Sequence, residues 1–163
     1  MRDEAGTLHI FCGKIASGKS TMARTLAEAP GRVLLSEDHL LARLYPGEIR
    51  SLEDYVRSAA RLREAIAAHL QDLLRAGLDV MLDFQANTPA ARAWMRSLFE
   101  GAEAPHQLHY LRASDDACRA RLHIRNASGS HDYQVSDAEF DLFTSYFVEP
   151  AADEGFNVVI HDQ

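Results

Sequence analysis

The stretch that decides the fold reads Gly13-Lys14-Ile15-Ala16-Ser17-Gly18-Lys19-Ser20. It fits the phosphate-loop pattern, in which two glycines flank four residues and are followed by Lys and then Ser or Thr. Gly13 and Gly18 permit the positive φ angles that turn successive backbone N–H groups towards one anion. Lys19 supplies a compact positive charge for the β- and γ-phosphates of a nucleotide, and the Ser20 hydroxyl is suited to ligate the accompanying Mg²⁺. The stretch therefore predicts a phosphate-binding loop.

The residues on either side of this loop support the interpretation. Residues 8–12, with the sequence LHIFC, form a short apolar run typical of a strand, and Met22 and Leu26 recur at helical spacing after the loop. Strand, loop and helix is the context that the motif requires. Both lysines of the chain lie in this loop, whereas its fifteen arginines are spread elsewhere. We therefore assign residues 13–20 and Thr21 to nucleotide binding in preference to a chance glycine-rich turn.

The composition is that of one globular domain spanning residues 1–163. The first residues lack the pattern of a signal peptide, and no apolar run is long enough to cross a bilayer, so we expect a cytoplasmic protein without a membrane segment. Cys12 and Cys118 do not suggest a disulfide framework. The net charge of −7 disfavours a nucleic-acid partner, because affinity for a phosphate backbone comes from clustered positive charge. We expect a monomer or a weak homodimer.

Strand and helix patterns alternate along the chain, which predicts a parallel sheet covered by helices on both faces. A long helix is expected between Ser51 and Gly77, with one buried stripe of residues three or four positions apart. That stripe comprises Leu52, Val56, Ala59, Leu62, Ile66, Leu70 and Leu73. The predicted strands are 7–12, 32–35, 79–84, 106–111 and 155–160, and the other predicted helices are 18–29, 36–44, 88–101, 114–126 and 136–150.

Polar residues follow the second predicted strand at the edge where ligands gather in a parallel sheet. Asp38 is the candidate catalytic base that orients an acceptor hydroxyl and takes its proton, so it is also a candidate substrate residue. The alternative is that Asp38 only complements the dipole of the helix that begins there. Its neighbours are weaker candidates for the catalytic base, since Glu37 is expected to be a solvated carboxylate at the helix start and His39 a surface side chain.

The third predicted strand ends in a second carboxylate. Asp83 closes the apolar run 80–82 and resembles the Walker B arrangement, in which a strand-end carboxylate holds Mg²⁺ together with the loop hydroxyl of Ser20. Gln85 and Asn87 follow and are candidate substrate contacts. Local hydrogen bonding in the loop and helix cap is an equally good explanation for these two.

Arginines precede a small, polar segment near residues 127–133. Arg121 and Arg125 lie four apart on one helix face, and we assign them to catalysis and to nucleotide phosphates, because cations stabilise charge on transferring phosphate oxygens. Arg119 is better explained as part of a solvated face. A further group flanks the segment between the second and third strands, and of these we assign Arg43 to the substrate. The others, which the sequence does not rank, are Tyr45, Arg50, Tyr55, Arg57 and Arg61.

Together these segments resemble small P-loop kinases of the AAA-family ATP-binding proteins, among them chloramphenicol phosphotransferase, polynucleotide kinase, zeta-toxin kinases and gluconate-kinase-like enzymes. The resemblance is carried by Gly13 to Ser20, by Ser36-Glu37-Asp38, by Asp83 to Thr88 and by Arg121 to Asn126. It implies the α/β P-loop NTPase fold with three αβα layers, a five-stranded parallel sheet ordered 2-3-1-4-5 and a helical lid near residues 126–135. It also implies ATP with Mg²⁺, a base like Asp38 and lid arginines.

The resemblance leaves the phosphate acceptor open. The expected function is transfer of the γ-phosphate of ATP to a hydroxyl of a small molecule, such as an antibiotic, a sugar or a nucleoside-like compound. ATP is expected rather than GTP, since the chain has no Asn-Lys-x-Asp motif. The alternatives are a polynucleotide or RNA-end kinase and a nucleotide-dependent switch ATPase without a small-molecule acceptor.

Overall fold

A computed structural model describes residues 4–129 and 134–163. Within these residues the strands are β1 (Leu8–Cys12), β2 (Arg32–Ser36), β3 (Asp79–Asp83), β4 (His106–Arg112) and β5 (Val158–Asp162). They form one sheet in which all neighbours are parallel and the order is β2-β3-β1-β4-β5. The predicted α/β class and strand order are therefore confirmed.

Helices connect the strands, and most of their starts are specified locally. They are α1 (Lys19–Ala27), α2 (Glu37–Leu44), α3 (Leu52–Arg75), α4 (Pro89–Ala102), α5 (Asp115–Ser128) and α6 (Asp137–Ser145). A Ser or Thr side chain caps the start of five helices and accepts a hydrogen bond from the backbone N–H three residues later; these caps are Ser36, Ser51, Thr88, Ser114 and Ser136. These bonds satisfy N–H groups that have no partner within the helix. No helix in the described ranges is both long and apolar enough to cross a membrane.

The sheet buries apolar side chains on both of its faces. On one face, Ile10, Leu82 and Leu108 pack with residues of α3 and α4 and have no exposed surface. On the other face, Phe11 and Met81 pack with α1. Successive strand residues point to opposite faces, so both residue sets come from the same strands. Burial of each large side chain contributes about 1.5–3 kcal/mol.

Three histidines on neighbouring strands form a chain across the α1 side of the sheet. The Nδ1 of His9 and the Nε2 of His109 share a hydrogen bond of 3.0 Å, and the Nδ1 of His109 and the Nε2 of His161 share another of 3.0 Å. His9 and His109 are buried, at 8% and 6% exposure. Each neutral imidazole has one N–H and one acceptor nitrogen, so three neutral rings in the same tautomer satisfy both bonds. Burial, with smaller contributions from His9 and His161, lowers the pKa of His109 to about 4.

A buried arginine links α4 to the segment that follows α6. Arg92 has no exposed surface, and its guanidinium donates to the carbonyl oxygens of Ala86 and Val148 at 2.9 Å each. It also makes a two-point ion pair with Glu154, at 2.7 and 2.8 Å. Because each of these partners is an oxygen acceptor, the buried charge is compensated. The guanidinium therefore holds together segments that are far apart in the chain.

Three sequence-based expectations require correction. Val56 is 58% exposed, whereas Ala59 and Leu62 of the predicted stripe are buried, and in the first turns of α3 it is Tyr55 that contacts α2, through Glu37. Helix α6 ends at Ser145 rather than near 150, and the chain then pairs with the loop after β3 through the N–H of Val148 and the carbonyl of Asn87. Strand β5 begins at residue 158, since a 3-10 turn precedes it.

Candidate active site

The phosphate loop adopts a conformation that depends on its glycines. Gly13 and Gly18 have φ angles of 158° and 104°, and Ala16 also has a positive φ of 61°. A Cβ atom on Gly13 would lie 2.5 Å from the Ser17 Oγ and 2.8 Å from the carbonyl oxygen of Leu111. Helix α1 begins directly after Gly18, so its free N–H groups face the loop. The Ser17 hydroxyl is buried and has no hydrogen-bond partner among the described residues.

The two loop lysines point in different directions. The Lys19 ammonium donates to the carbonyl oxygens of Gly13 and Lys14, at 2.5 and 2.7 Å. Burial lowers the pKa of Lys19, and the negative charge of Asp83 opposes that shift. The Lys14 side chain instead pairs with Asp115 at the start of α5, at 2.5 Å. Lys19 is therefore the lysine whose side chain lies at the site, and Lys14 offers its backbone.

Ser20 and Asp83 are brought together although 63 residues separate them. The Ser20 hydroxyl donates to the Asp83 Oδ2 at 2.7 Å. Asp83 is the last residue of β3, which pairs directly with β1, and the loop carrying Ser20 follows β1. The arrangement places a hydroxyl and a carboxylate oxygen side by side, and these are donor types that Mg²⁺ prefers.

A cavity of about 1050 Å³ opens at the carboxyl ends of the strands, beside the phosphate loop. Its wall combines the loop, the start of α2, the approach to α3, the residues after β3 and parts of α5 and α6. The lining residues include Ile15, Ala16, Gly18, Lys19, Ser20, Thr21, Glu37, Asp38, Arg50, Leu52, Tyr55, Asp83, Phe84, Gln85, Arg121, Arg125, Leu142 and Phe143.

Asp38 lies in this cavity and is half-buried in the first turn of α2. Burial raises the pKa of Asp38 to about 6, and the negative charges of Glu37 and Asp83 act in the same direction. Lys19 and Arg125 are the positive groups that oppose the shift. A carboxyl with a pKa close to neutrality can exchange a proton with a substrate group at physiological pH.

Arg121 and Arg125 both reach the cavity from α5, as their spacing predicts. Arg121 donates from Nη1 to the carbonyl of Ser17 at 3.5 Å. The Nε of Arg125 is buried and has no hydrogen-bond partner among the described residues, and burial lowers the pKa of this guanidinium. Arg119 pairs with Asp137 and Asp141 of α6 and does not line the cavity.

The predicted lid lies only partly within the described residues. Helix α5 continues to Ser128, and Gly129 caps it in a left-handed conformation. The side-chain amide of Asn126 donates to the carbonyl of Val135 at 2.7 Å, so the two ends of the segment are tied together at its base. The expectation for residues 130–133 falls outside the described residues.

Glu37 differs from the expectation of a solvated carboxylate. It is 1% exposed, and its Oε1 accepts a hydrogen bond of 2.5 Å from the Tyr55 hydroxyl. Its Oε2 accepts from the Nε and Nη2 of Arg63, at 3.2 and 3.0 Å. The expectation was wrong because two residues of α3 cover this side of α2. His39 is exposed, as expected for a surface side chain.

The remaining candidate substrate residues occupy different places. Gln85 lines the cavity. The Oδ1 of Asn87 accepts a hydrogen bond of 3.1 Å from the N–H of Gly13, so this side chain supports the start of the phosphate loop and does not line the cavity. Arg43 is exposed at the end of α2, donates to the carbonyl of His39 at 3.5 Å and also lies outside the cavity wall.

Nothing in the sequence singles out Arg63, and Tyr55 is one of several residues near α3 that the sequence does not rank. Both lie on α3 and bind the same carboxylate. They are about two helical turns apart, so they share one face of that helix. This spacing was visible in the sequence, but nothing local showed that the partner of this face is Glu37.

Comparison of the chain with models of known protein families identifies its family. A model of the AAA domain family matches residues 8–150, from β1 to the segment beyond α6. The chain belongs to the AAA domain family. No curated protein matches this AAA domain significantly in sequence.

Solved structures resemble this AAA domain over nearly its whole length. A protein from Chloroflexus aurantiacus described as a candidate kinase has 24% identity and a TM-score of 0.71, covering 98% of this chain and 86% of its own. Kti12 from Chaetomium thermophilum in complex with ADP-AlF3 has 16% identity and a TM-score of 0.69, covering 95% and 88%. The Mycobacterium tuberculosis APS kinase CysC in complex with AMPPNP and APS has 19% identity and a TM-score of 0.65, covering 98% and 89%. These likenesses establish a P-loop kinase-like fold.

Proposed function

We propose that this AAA domain is a kinase that transfers the γ-phosphate of ATP to a hydroxyl group of a small molecule. The observation that carries the proposal is the placement of Asp38 in the same cavity as Lys19 and Arg125. A switch ATPase needs a phosphate loop and a metal site. Transfer to a hydroxyl requires in addition a group that orients the acceptor and takes its proton, and a carboxyl group with a raised pKa in the same cavity as the loop suits that role.

The residues of the loop suit ATP and Mg²⁺. The buried Ser17 hydroxyl and the Nε of Arg125 are donors without a protein acceptor among the described residues, and phosphate oxygens are strong acceptors. Lys19, the backbone of residues 13–21, Arg121 and Arg125 would hold the nucleotide phosphates. Ser20 and Asp83 would hold Mg²⁺, which supplies charge neutralisation at the phosphates when it is bound.

The proposed reaction assigns one role to each charged side chain. The acceptor oxygen forms a bond to the γ-phosphorus, the bond between that phosphorus and the β–γ bridging oxygen breaks, and ADP leaves. Asp38 takes the hydroxyl proton, and because its pKa is raised to about 6, this carboxyl is mostly ionised at neutral pH and can accept that proton. Lys19, Arg121 and Arg125 stabilise negative charge on the phosphate oxygens.

The cavity wall beyond Asp38 indicates a compact acceptor with an apolar part. Leu52 and Tyr55 of α3, Phe84 after β3 and Phe143 of α6 line the cavity, and Gln85 adds an amide for orientation. Such a mixture of apolar surface and few polar groups is typical of small-molecule sites. The net charge of −7 favours a small acceptor over a polynucleotide.

A screen of phosphate acceptors with γ-labelled ATP tests the proposal. The panel holds phenicols, aminoglycosides, sugars, nucleosides and oligonucleotides with free 5′-hydroxyl groups, and Lys19→Ala serves as the inactive control. We expect labelled product from a small hydroxyl compound only with the wild-type protein. Label on oligonucleotides alone would indicate a polynucleotide kinase, and ATP hydrolysis that no acceptor stimulates would indicate a switch ATPase.

A further inference from the structure

The residue that precedes Asp38 is part of a buried ion pair. Glu37 precedes Asp38 in the first turn of α2, and both of its carboxylate oxygens are bound by α3, one by Tyr55 and the other by Arg63. The Arg63 guanidinium stands over the Trp94 ring, 5.5 Å from its centroid, so it is fixed from a second side by α4. We call Glu37, Tyr55 and Arg63 the α2–α3 clamp.

Stability alone is a weak explanation for this clamp. A buried ion pair is often no more stabilising than apolar side chains of similar volume, because both charges lose their hydration. The start of α2 needs no buried acid either, since Ser36 already caps the helix and an exposed carboxylate would serve its dipole equally well. We therefore ask whether the clamp fixes the position of the first turn of α2, which carries Asp38.

The clamp is connected to the cavity through its own residues and through Asp38. Glu37 and Tyr55 are both part of the cavity wall, and Asp38 follows Glu37 by one peptide bond. The Tyr55 hydroxyl donates to Glu37, so in this arrangement it is not available to donate to an acceptor in the cavity. One hydrogen bond of 2.5 Å thus joins the surface that would seat the acceptor to the turn that carries the base.

We propose that Glu37 is a positioning residue, and that its bonds to Tyr55 and Arg63 hold Asp38 at the distance from an acceptor hydroxyl that transfer requires. This inference rests on the proposed kinase function for its catalytic part. Its structural part, that the clamp fixes the first turn of α2, stands independently of the reaction. Small displacements matter here, since a misplacement of about 1 Å can lower a rate about a hundredfold.

A double-mutant cycle tests the proposal. Glu37→Ala is expected to lower kcat between about tenfold and a hundredfold, with the KM for ATP unchanged, because the phosphate loop is untouched. In an Asp38→Asn background the same change should cause no further loss, since Glu37 acts through Asp38. Losses that multiply in the double variant would overturn the proposal. Asp72→Asn breaks an exposed ion pair with Arg75 at the far end of α3 and is the matched control.

Hydrogen exchange gives a readout that does not depend on activity. In Glu37→Ala the amides of residues 37–40 should exchange faster than in the wild type, while the amides of α1 should exchange at the wild-type rate. In the Asp72→Asn control, the amides of residues 37–40 should exchange at the wild-type rate. If Glu37→Ala does not fold, Tyr55→Phe removes only the hydroxyl that binds Oε1, and a smaller change in the same direction is expected. Unchanged exchange at the start of α2 would overturn the clamp whatever the activity. If Glu37→Ala speeds exchange at residues 37–40 as expected but the wild-type protein transfers no phosphate to any acceptor, only the kinase proposal is overturned.

Discussion

Acid should weaken the fold through the histidine chain across β1, β4 and β5. The pKa of His109 is lowered from 6.5 to about 4, mainly by burial, so between these values the unfolded chain binds a proton that the folded protein excludes. Stability must then fall as the pH falls from 6.5 towards 4. One pKa unit corresponds to about 1.4 kcal/mol, so lowering the pH from 6.5 to 5 should remove about 2 kcal/mol through His109.

Another group in the same pH range acts in the opposite direction. The pKa of Asp38 is raised to about 6, so the folded protein binds that proton more readily than the unfolded chain, and acid stabilises the fold through this carboxyl. The two effects partly cancel in the wild type. Asp38 is present in both the wild type and His109→Gln. The contribution of His109 is therefore given by the difference between the two proteins in how the free energy of unfolding changes with pH.

Urea unfolding followed by circular dichroism measures this difference. From pH 6.5 to pH 5 the wild type should lose about 2 kcal/mol relative to His109→Gln. His69→Gln, at an exposed position of α3, should retain the pH dependence of the wild type. Parallel stability curves for the wild type and His109→Gln would refute the role given to the buried chain.

The other predictions concern the candidate active site. Lys19→Ala should abolish most phosphate transfer while leaving the thermal unfolding profile intact, and wild-type turnover in the folded variant would contradict the kinase proposal. Asp38→Asn should lower kcat with little change in ATP affinity measured by calorimetry, whereas a normal kcat would exclude Asp38 as the base. Asp83→Asn should weaken ATP binding in the presence of Mg²⁺ more than in its absence, and an equal loss in both titrations would argue against a metal ligand. Arg125→Gln should lower kcat by roughly ten- to a thousandfold, and a kcat within twofold of wild type would show that this guanidinium serves the fold alone.

The parts of the structure that depend on neighbouring residues could be predicted from the sequence. The phosphate loop and the strand before it are specified within residues 8–20, and the capping box of Ser136 and Glu139 spans one helical turn. The strand order followed from a resemblance carried by those same local motifs. Local propensity and patterning were sufficient there because chain neighbours determine the geometry.

The features that escaped prediction are set by contacts between distant elements. Glu37 is buried because two residues of α3 bind it, and no pattern around residue 37 indicates that partner. His9, His109 and His161 meet because three parallel strands align in one register, which the sequence does not display. The hydrogen bond between the N–H of Gly13 and Asn87 joins residues that are 74 positions apart, so it too could not be seen in the local sequence. Long-range packing decided all of these contacts.

The Arg92 contacts have a consequence for the order in which the protein is completed during synthesis. The chain leaves the ribosome from its N-terminus, so the phosphate loop emerges before Asn87, which supports it, and before Val148, whose N–H donates to the carbonyl of Asn87. Arg92 binds the neighbouring carbonyl of Ala86 together with Val148 and Glu154, which are 56 and 62 residues further along. These hydrogen bonds can therefore form only after Val148 and Glu154 have been translated. A nascent chain that stops short of these residues would carry the complete loop sequence without these supporting contacts.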